Sequence, residues 1–214
     1  MSRAPQKRRL ETRARLLEAA CAIVARDGAA ALRVEDVVRD AGVAKGTFFS
    51  HFDDKDSLLA QLLGEEMHLL LAKVASGPVP RNVEELCDAF EPLYEFMAQD
   101  RFVFDVVMRY SGAAAVDDAT EIALNFLHQV ELLMRWLPQM PGIRRDVDTE
   151  LLAEGVLAFA LNAIGLKFCA LHNASSIKDR VRPYIRAWLQ PGSGEGDRQA
   201  DADQKDARDG IGAA

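Results

Sequence analysis

Apolar residues recur at intervals of three and four along most of this chain, the spacing that places them on one face of a helix. Leu16, Leu17, Ala20, Ile23 and Val24 form the first such stripe, over 14–27, and Gly28 follows as its stop. A short helix over 34–41 carries Glu35 and Asp36 in its first turn, where the helix dipole favours acids, and Gly42 breaks it. The pattern restarts over 44–51. Asp53-Asp54-Lys55-Asp56 then caps the entry to a long helix over 54–76, ~35 Å at ~1.5 Å per residue. Gly77-Pro78-Val79-Pro80 is the clearest break in the chain.

Beyond that break, Val83, Leu86, Cys87, Phe90, Tyr94 and Met97 make another stripe, with Pro92 as an expected kink. Helices are expected over about 101–110 and 118–137, the latter on Ile122, Phe126, Val130, Leu133 and Leu137, ended by Pro138 and Pro141-Gly142. Two more follow near 148–172 and 176–189, the last bent at Pro183. No run alternates at a period of two with β-branched enrichment, so the fold class is all-α. The expected organisation is a helix-turn-helix domain with a basic N-terminal arm over 1–53, a helical domain over 54–190, and a disordered acidic tail over 191–214, rich in Gly, Asp and Ala.

Composition narrows the class. Apolar residues are 49% and charged residues 28%, enough for a core and ordinary for a soluble protein. The longest uncharged apolar run is Gly155–Leu166, shorter than the ~18 residues of a membrane span. Cys21, Cys87 and Cys169, odd in number and far apart, make no disulfide framework. The expected location is cytoplasmic. The net charge of −7 conceals an asymmetry: residues 1–15 hold Arg3, Lys7, Arg8, Arg9, Arg13 and Arg15 against Glu11 alone. A basic arm on an acidic body points to a polyanion at that end, or to a solvated tail.

Two short helices about a glycine turn make a helix-turn-helix, whose second helix lies in the major groove while the first crosses the backbone. Val34, Val37, Val38, Ala41, Val43, Phe48 and Phe52 supply the apolar inner face that locks the pair, and Ala44, Lys45, Gly46 and Thr47 are small or polar enough to approach bases. The run "RLLEAACAIVARDG" followed by "RVEDVVRDAGVAKGTFFSHFDDKDSLLAQLL" resembles the TetR family of bacterial transcriptional regulators. Ala19-Ala20, Gly28, Ala41-Gly42-Val43, Lys45-Gly46-Thr47, His51-Phe52, Lys55 and Leu58 carry the likeness; the remainder agrees only in length and helical content. The resemblance implies DNA contacts from Lys45, Thr47 and His51, beside Ala44 and Gly46, and a phosphate anchor at Lys55. Arg33 stands where the family usually has a capping Ser or Thr, losing ~1 kcal/mol of cap but adding a cation. Phe49 stands where Tyr is commonest and lacks its hydroxyl. The arm of Arg3, Lys7, Arg8 and Arg9 either reaches an adjacent minor groove or stays a free tail.

One such motif reads about half a turn of groove, so a two-fold pair is expected. Residues 148–172 are apolar or small nearly all round: Gly155, Ala158, Asn162, Gly165 and Cys169 on one side, Leu157, Leu161, Ile164, Phe168 and Leu171 on the other. With Ile177, Val181, Tyr184 and Trp188 of the last helix, the first set is the candidate dimer interface. The resemblance implies a four-helix bundle with the copy. Phe90, Tyr94, Met97, Phe104, Met108, Phe126 and Met134 are candidate walls of a small-molecule cavity, or the ordinary packing of a bundle core.

No phosphate loop, nucleophile elbow or HExxH motif is present. Cys169 and His172 are too few for a closed zinc site. No enzyme, metal or cofactor is therefore expected. The reading is a DNA-binding regulator, by family default a repressor, that binds a palindromic operator as a homodimer and is released by a small apolar effector. The alternative is a helical small-molecule-binding or interaction protein without DNA binding.

Overall fold

A computed structural model describes residues 3–112, 120–169 and 175–190. The described residues form helices α1 (Arg3–Asp27), α2 (Val34–Asp40), α3 (Lys45–Phe49), α4 (Lys55–Ser76), α5 (Val83–Met97), α6 (Arg101–Arg109), α7 (Glu121–Trp136), α8 (Thr149–Lys167) and α9 (Ile177–Leu189), with short 3-10 turns at Ala29–Ala31 and Leu137–Gln139. The all-α expectation holds. The expected tail over 191–214 lies outside the described residues.

Helix starts follow their caps. Asp54 accepts from the Ser57 N–H while the Ser57 hydroxyl takes the Asp54 N–H, a reciprocal capping box at the head of α4. Asn82, Asp100, Thr120, Asp148 and Ser176 cap α5 to α9 with their side chains. Arg33 and Ala44 cap nothing with theirs, so α2 and α3 have no side-chain cap at their starts.

Three boundaries differ from the periodicity. Helix α1 begins at Arg3 rather than near residue 14, so the basic arm is a continuation of the first helix and not a flexible strand. Its early turns carry no apolar stripe for periodicity to detect. Helix α8 ends at Lys167, where the chain turns through Phe168 and Cys169, five residues before the expected end. Helix α3 is the five residues Lys45–Phe49, because Ser50 and His51 continue only as turn.

The turn between α2 and α3 is set by glycine and by an arginine. Gly42 has φ +63°, the left-handed region that costs a side chain strain. Around it the Val43 N–H bonds to the Val38 carbonyl at 3.0 Å and the Gly42 N–H to the Arg39 carbonyl at 3.1 Å, the paired bonds of a Schellman ending. Arg15, from α1, donates to the Ala41 carbonyl and, at 3.2 Å, to that of Gly42. Leu16, Ala20 and Ile23 of α1 are buried, as are Leu32, Val37, Phe48 and Phe52, so the first helix closes the core beneath the two short ones.

Helix α4 runs from this head into the rest of the molecule, packing on α1, α5, α6 and α7. Its crossing with α7 is close: a Cβ on Gly64 would sit 2.6 Å from Glu121 Cβ and 3.2 Å from the Ile122 nitrogen. Asn125 Nδ2 bonds the Gly64 carbonyl at 2.8 Å across the contact. Helices α5, α7 and α8 surround a core of Phe90, Leu93, Met97, Leu132, Trp136, Val156 and Ala160, with α9 laid over α5 and α8.

Both glycines make measurable predictions. Gly64→Val lowers the unfolding free energy by roughly 2–3 kcal/mol, because the backbone of α7 cannot retreat. Gly42→Ala lowers it by about 1–2 kcal/mol through the left-handed φ. Urea denaturation followed by circular dichroism reads both, and an unchanged midpoint for Gly64→Val contradicts the crossing.

Candidate nucleic-acid interface

The packing of α3 determines what it displays. Phe48 and Phe52 turn inward, with Phe48 fully buried. Ala44, Lys45, Gly46 and Phe49 are left exposed, and Thr47 and His51 half-buried at the margin. Nothing lies within 4 Å of a Cβ built on Gly46, so this part of the surface is open to close approach. Phe49, 49% exposed, meets Phe48 edge-on at 5.3 Å and presents an apolar ring to the surface.

Several cations of this face are held by the chain itself. Lys45 Nζ lies 2.6 Å from Glu35 Oε1, and this contact keeps the Glu35 carboxyl below its usual range. Both groups are exposed, so the pair adds little to stability; it matters because a phosphate must compete with Glu35 for the ammonium. Arg39 is shared between Asp36 and Asp40. Arg13 lies 4.2 Å over the Phe52 ring, donates to the His51 carbonyl at 2.7 Å and also bonds Gln61. With Arg15 on the α2–α3 turn, two arginines counted by sequence as part of a basic arm are structural ties. Lys7 stands 3.9 Å from Glu11. Arg8, Arg9 and Arg33 remain exposed, and Arg33 adds to the lowering of the Glu35 carboxyl.

At His51 the pKa of the ring is lowered. Burial lowers its pKa first, and the charges of Arg9 and Arg13 add to the effect. Its Nδ1 is buried without a partner. Its backbone carbonyl already serves Arg13.

Lys55, the expected phosphate anchor, has an aromatic neighbour. Its ammonium sits 5.1 Å from the centre of the Phe102 ring of α6, a cation–π contact. The neighbouring Asp56 pairs with Arg109 at the other end of α6. Helix α6 is thereby fastened to the capped start of α4, and it also touches the Ala29–Ala31 turn behind α2. Sequence reading missed this fastening, since Asp56 and Arg109 are far apart in the chain and neither belongs to a motif.

The expected effector walls divide. Phe90, Tyr94, Met97 and Phe126 are buried, whereas Met108 and Met134 are 39% and 38% exposed on the outer faces of α6 and α7. Phe104 packs on Phe168 at 5.9 Å, half-buried between α6 and the end of α8. The structure thus does not gather these residues around one cavity: the two methionines lie one helical face away from the buried set. An open cleft of about 840 Å³ lies elsewhere, between Leu70 and Val74 of α4, the 77–81 turn and Ala89 and Pro92 of α5.

The dimer set divides as well. Ile177 and Val181 are each 2% exposed inside the chain, because the apolar stripe of α9 is used on α5 and α8. Gly155 faces Trp188, whose Nε1 bonds the Leu152 carbonyl at 3.0 Å, and Phe159 lies between the Tyr184 and Trp188 rings. Ala158 and Asn162 stay exposed beside half-buried Gly165 and Cys169, and Leu151, unnoticed in the sequence, is exposed on the same helix. By length and composition α8 could cross a membrane, and a third of the qualifying window is buried.

The comparisons with known proteins agree with this geometry. Residues 16–62 match a family model described as bacterial regulatory proteins, tetR family. Over 134 residues the chain is 26% identical to an uncharacterized HTH-type transcriptional regulator of Haemophilus influenzae; the match covers 62% of this chain and 65% of that relative, just under two thirds of its length. The fold is similar to that of Thermus thermophilus FadR, a TetR-family repressor solved with lauroyl-CoA, at TM-score 0.59 and 18% identity, over 82% of this chain and 92% of that one. It is also similar to SmeT, the repressor of the Stenotrophomonas maltophilia multidrug efflux pump SmeDEF, at TM-score 0.55 and 16% identity, over 84% and 91%.

The lowered pKa of His51 has a pH consequence. Its pKa is lower folded than the ordinary 6.5, so the unfolded chain binds the extra proton first. The stability it contributes is complete above pH 6.5 and is lost as pH falls through the folded value. Between pH 7.5 and 5.5 the wild-type melting temperature should fall further than that of His51→Gln. Parallel curves would contradict the assignment.

Proposed function

We propose that this chain, whose residues 16–62 match the model of the tetR family of bacterial regulatory proteins, is a member of that family and a repressor that reads a palindromic operator as a homodimer and releases it when a small, largely apolar effector enters its body. The observation that carries the reading is the outward face of α3. The core holds Phe48 inward and leaves Ala44, Lys45 and Gly46 exposed with no bulk around them, the relief that base-edge contact in a major groove requires. Arg33, Arg8 and Arg9 flank that face as phosphate-seeking cations, which fix register rather than sequence.

The surfaces of α8 and α9 support a second copy as the partner. Helix α8 is apolar nearly all round, and its inner side alone is covered within the chain. Leu151, Glu154, Ala158 and Asn162, with the half-buried Gly165, form an uncovered strip, and the exposed Pro183 and Ala187 of α9 lie on that helix's outer side. Two copies of the strip bury each other about a two-fold axis, an isologous contact. Effector binding among α5, α7 and α8 displaces α4 and the α6 fastened to its start. The two reading helices then no longer match both half-sites. A coupling of ~1–3 kcal/mol is typical of such a change.

The test is selection from a random duplex pool with the full chain, followed by sequencing. The expected product is a palindrome with half-sites about 10 base pairs apart, centre to centre. An unselected pool, or a single asymmetric half-site, overturns the dimeric reading. Lys45→Glu abolishes retention. Glu35→Gln strengthens it about three- to tenfold at low salt by freeing Lys45. Gly46→Ala separates fold from function: it raises thermal stability through helix propensity while weakening retention, because a methyl group then stands on the approach surface.

A further inference from the structure

The buried core of the second half contains one polar pair that is only partly satisfied. Gln129 of α7 is 0% exposed and Tyr94 of α5 is 3% exposed. Gln129 Nε2 donates to the Tyr94 hydroxyl at 2.8 Å, and Gln129 Oε1 has no partner. Reversing the amide exchanges which atom is orphaned without removing the deficit. A buried amide oxygen without a hydrogen bond is destabilising, and such an atom calls for a reason. Burial pushes the Tyr94 phenol above its ordinary range, so it keeps its proton. In accepting from Gln129 it retains that proton to donate.

The surroundings select what completes the pair. Phe90 stacks on Tyr94 at 5.9 Å and meets Trp136 at 6.0 Å, so the walls are aromatic. Beside Tyr94 lies a seam between α5, α8 and α9, walled by Cys87, Val156 and Val181, whose gap holds no water-sized space. Glu84, Asp88 and Glu91 of α5 pair with Lys178, Arg182 and Arg186 of α9 along one edge of it. The Cys87 thiol, pushed up to about 12 by burial first and then by Glu84, is neutral. Arg182 also acts on that thiol and its Nε is buried without a hydrogen bond, but it is already held by Asp88 and Glu84, so a carboxylate or an amine brought here would be a charge without a free counter-ion, which is costly. A hydrocarbon leaves Oε1 as it was. A hydroxyl group donates to Gln129 Oε1 and accepts from Tyr94, completing both.

We propose that Tyr94 and Gln129 are the polar recognition pair of the effector site, and that the effector is a neutral molecule carrying a hydroxyl on an apolar body that opens the α5–α8–α9 seam. This rests on the effector-released reading given above and names the chemistry of that site. Neither residue contributes to the reading head, so the two ideas fail separately.

The test is calorimetric titration of the full chain with three matched series: 4-alkylphenols, the corresponding alkylbenzenes and the corresponding 4-alkylbenzoates. The phenols should bind at least about tenfold more tightly than alkylbenzenes of equal length, and the benzoates more weakly than either. Gln129→Leu removes the orphaned atom while keeping an apolar side chain of similar size. Its melting temperature should match or exceed the wild type, and it should erase the preference for phenols while leaving alkylbenzene affinity within about twofold. Tyr94→Phe should reduce the preference in the same direction. Equal affinity for phenols and alkylbenzenes, or a preference that survives Gln129→Leu, overturns the assignment. So does the absence of binding in the phenol series. Tight benzoate binding that releases the selected duplex would leave the repressor reading standing and remove this one.

Discussion

Helix α4 must complete two sets of contacts with one continuous rod. Its first turn is held by the Asp54–Ser57 capping box and presents Leu58 and Leu59 to the interior. Its later turns bury Leu63, Met67 and Leu71. Midway it meets the backbone of α7 at Gly64, where no side chain fits. Close-packed interiors transmit displacement rather than absorb it. A shift of α7 therefore moves α4 as a body. What moves the head of α4 also moves α6, through Lys55 on Phe102 and Asp56 on Arg109.

The cations at the reading end serve two ends. A helix-turn-helix this small, with no side-chain cap on either short helix, needs ties from outside. Arg15 supplies the carbonyls of the α2–α3 turn with donors, and Arg13 joins Phe52, the His51 carbonyl and Gln61 of α4. These bonds orient α3 relative to α1 and α4, which is a precondition for presenting it to anything. The charges of Arg8, Arg9 and Arg33 stay outward. Lys45 is intermediate: its exposed pairing with Glu35 is cheap to open, so it serves as a weak competitor for any anion that approaches.

The far end is organised by the opposite balance. Helix α9 is amphipathic, with an apolar face on α5 and α8 and a row of cations over the acids of α5. This fixes its register by shape and by charge at once. Helix α8 has no polar face of comparable size; the side its own chain leaves uncovered mixes Leu151 and Ala158 with Glu154 and Asn162.

The sequence by itself determined the number of helices, most of their ends and the inner face of the reading head, because glycines, prolines and side-chain caps act locally and an apolar stripe has one period. Gly42, Asp54 and Phe48 are examples in which the residue type already implies the structural role. Only the tertiary structure decided which members of a stripe face solvent and which charges are taken. Ile177 and Val181 were buried by α5 and α8, Met108 and Met134 were turned outward, and Lys55 was drawn onto Phe102. The partners of these residues lie tens of positions away in the chain. The orphaned oxygen of Gln129 belongs to the same class, since a glutamine on a helix is ordinary until packing removes water from it. Periodicity reports a residue's face, but its neighbours across the interface come from how the helices cross.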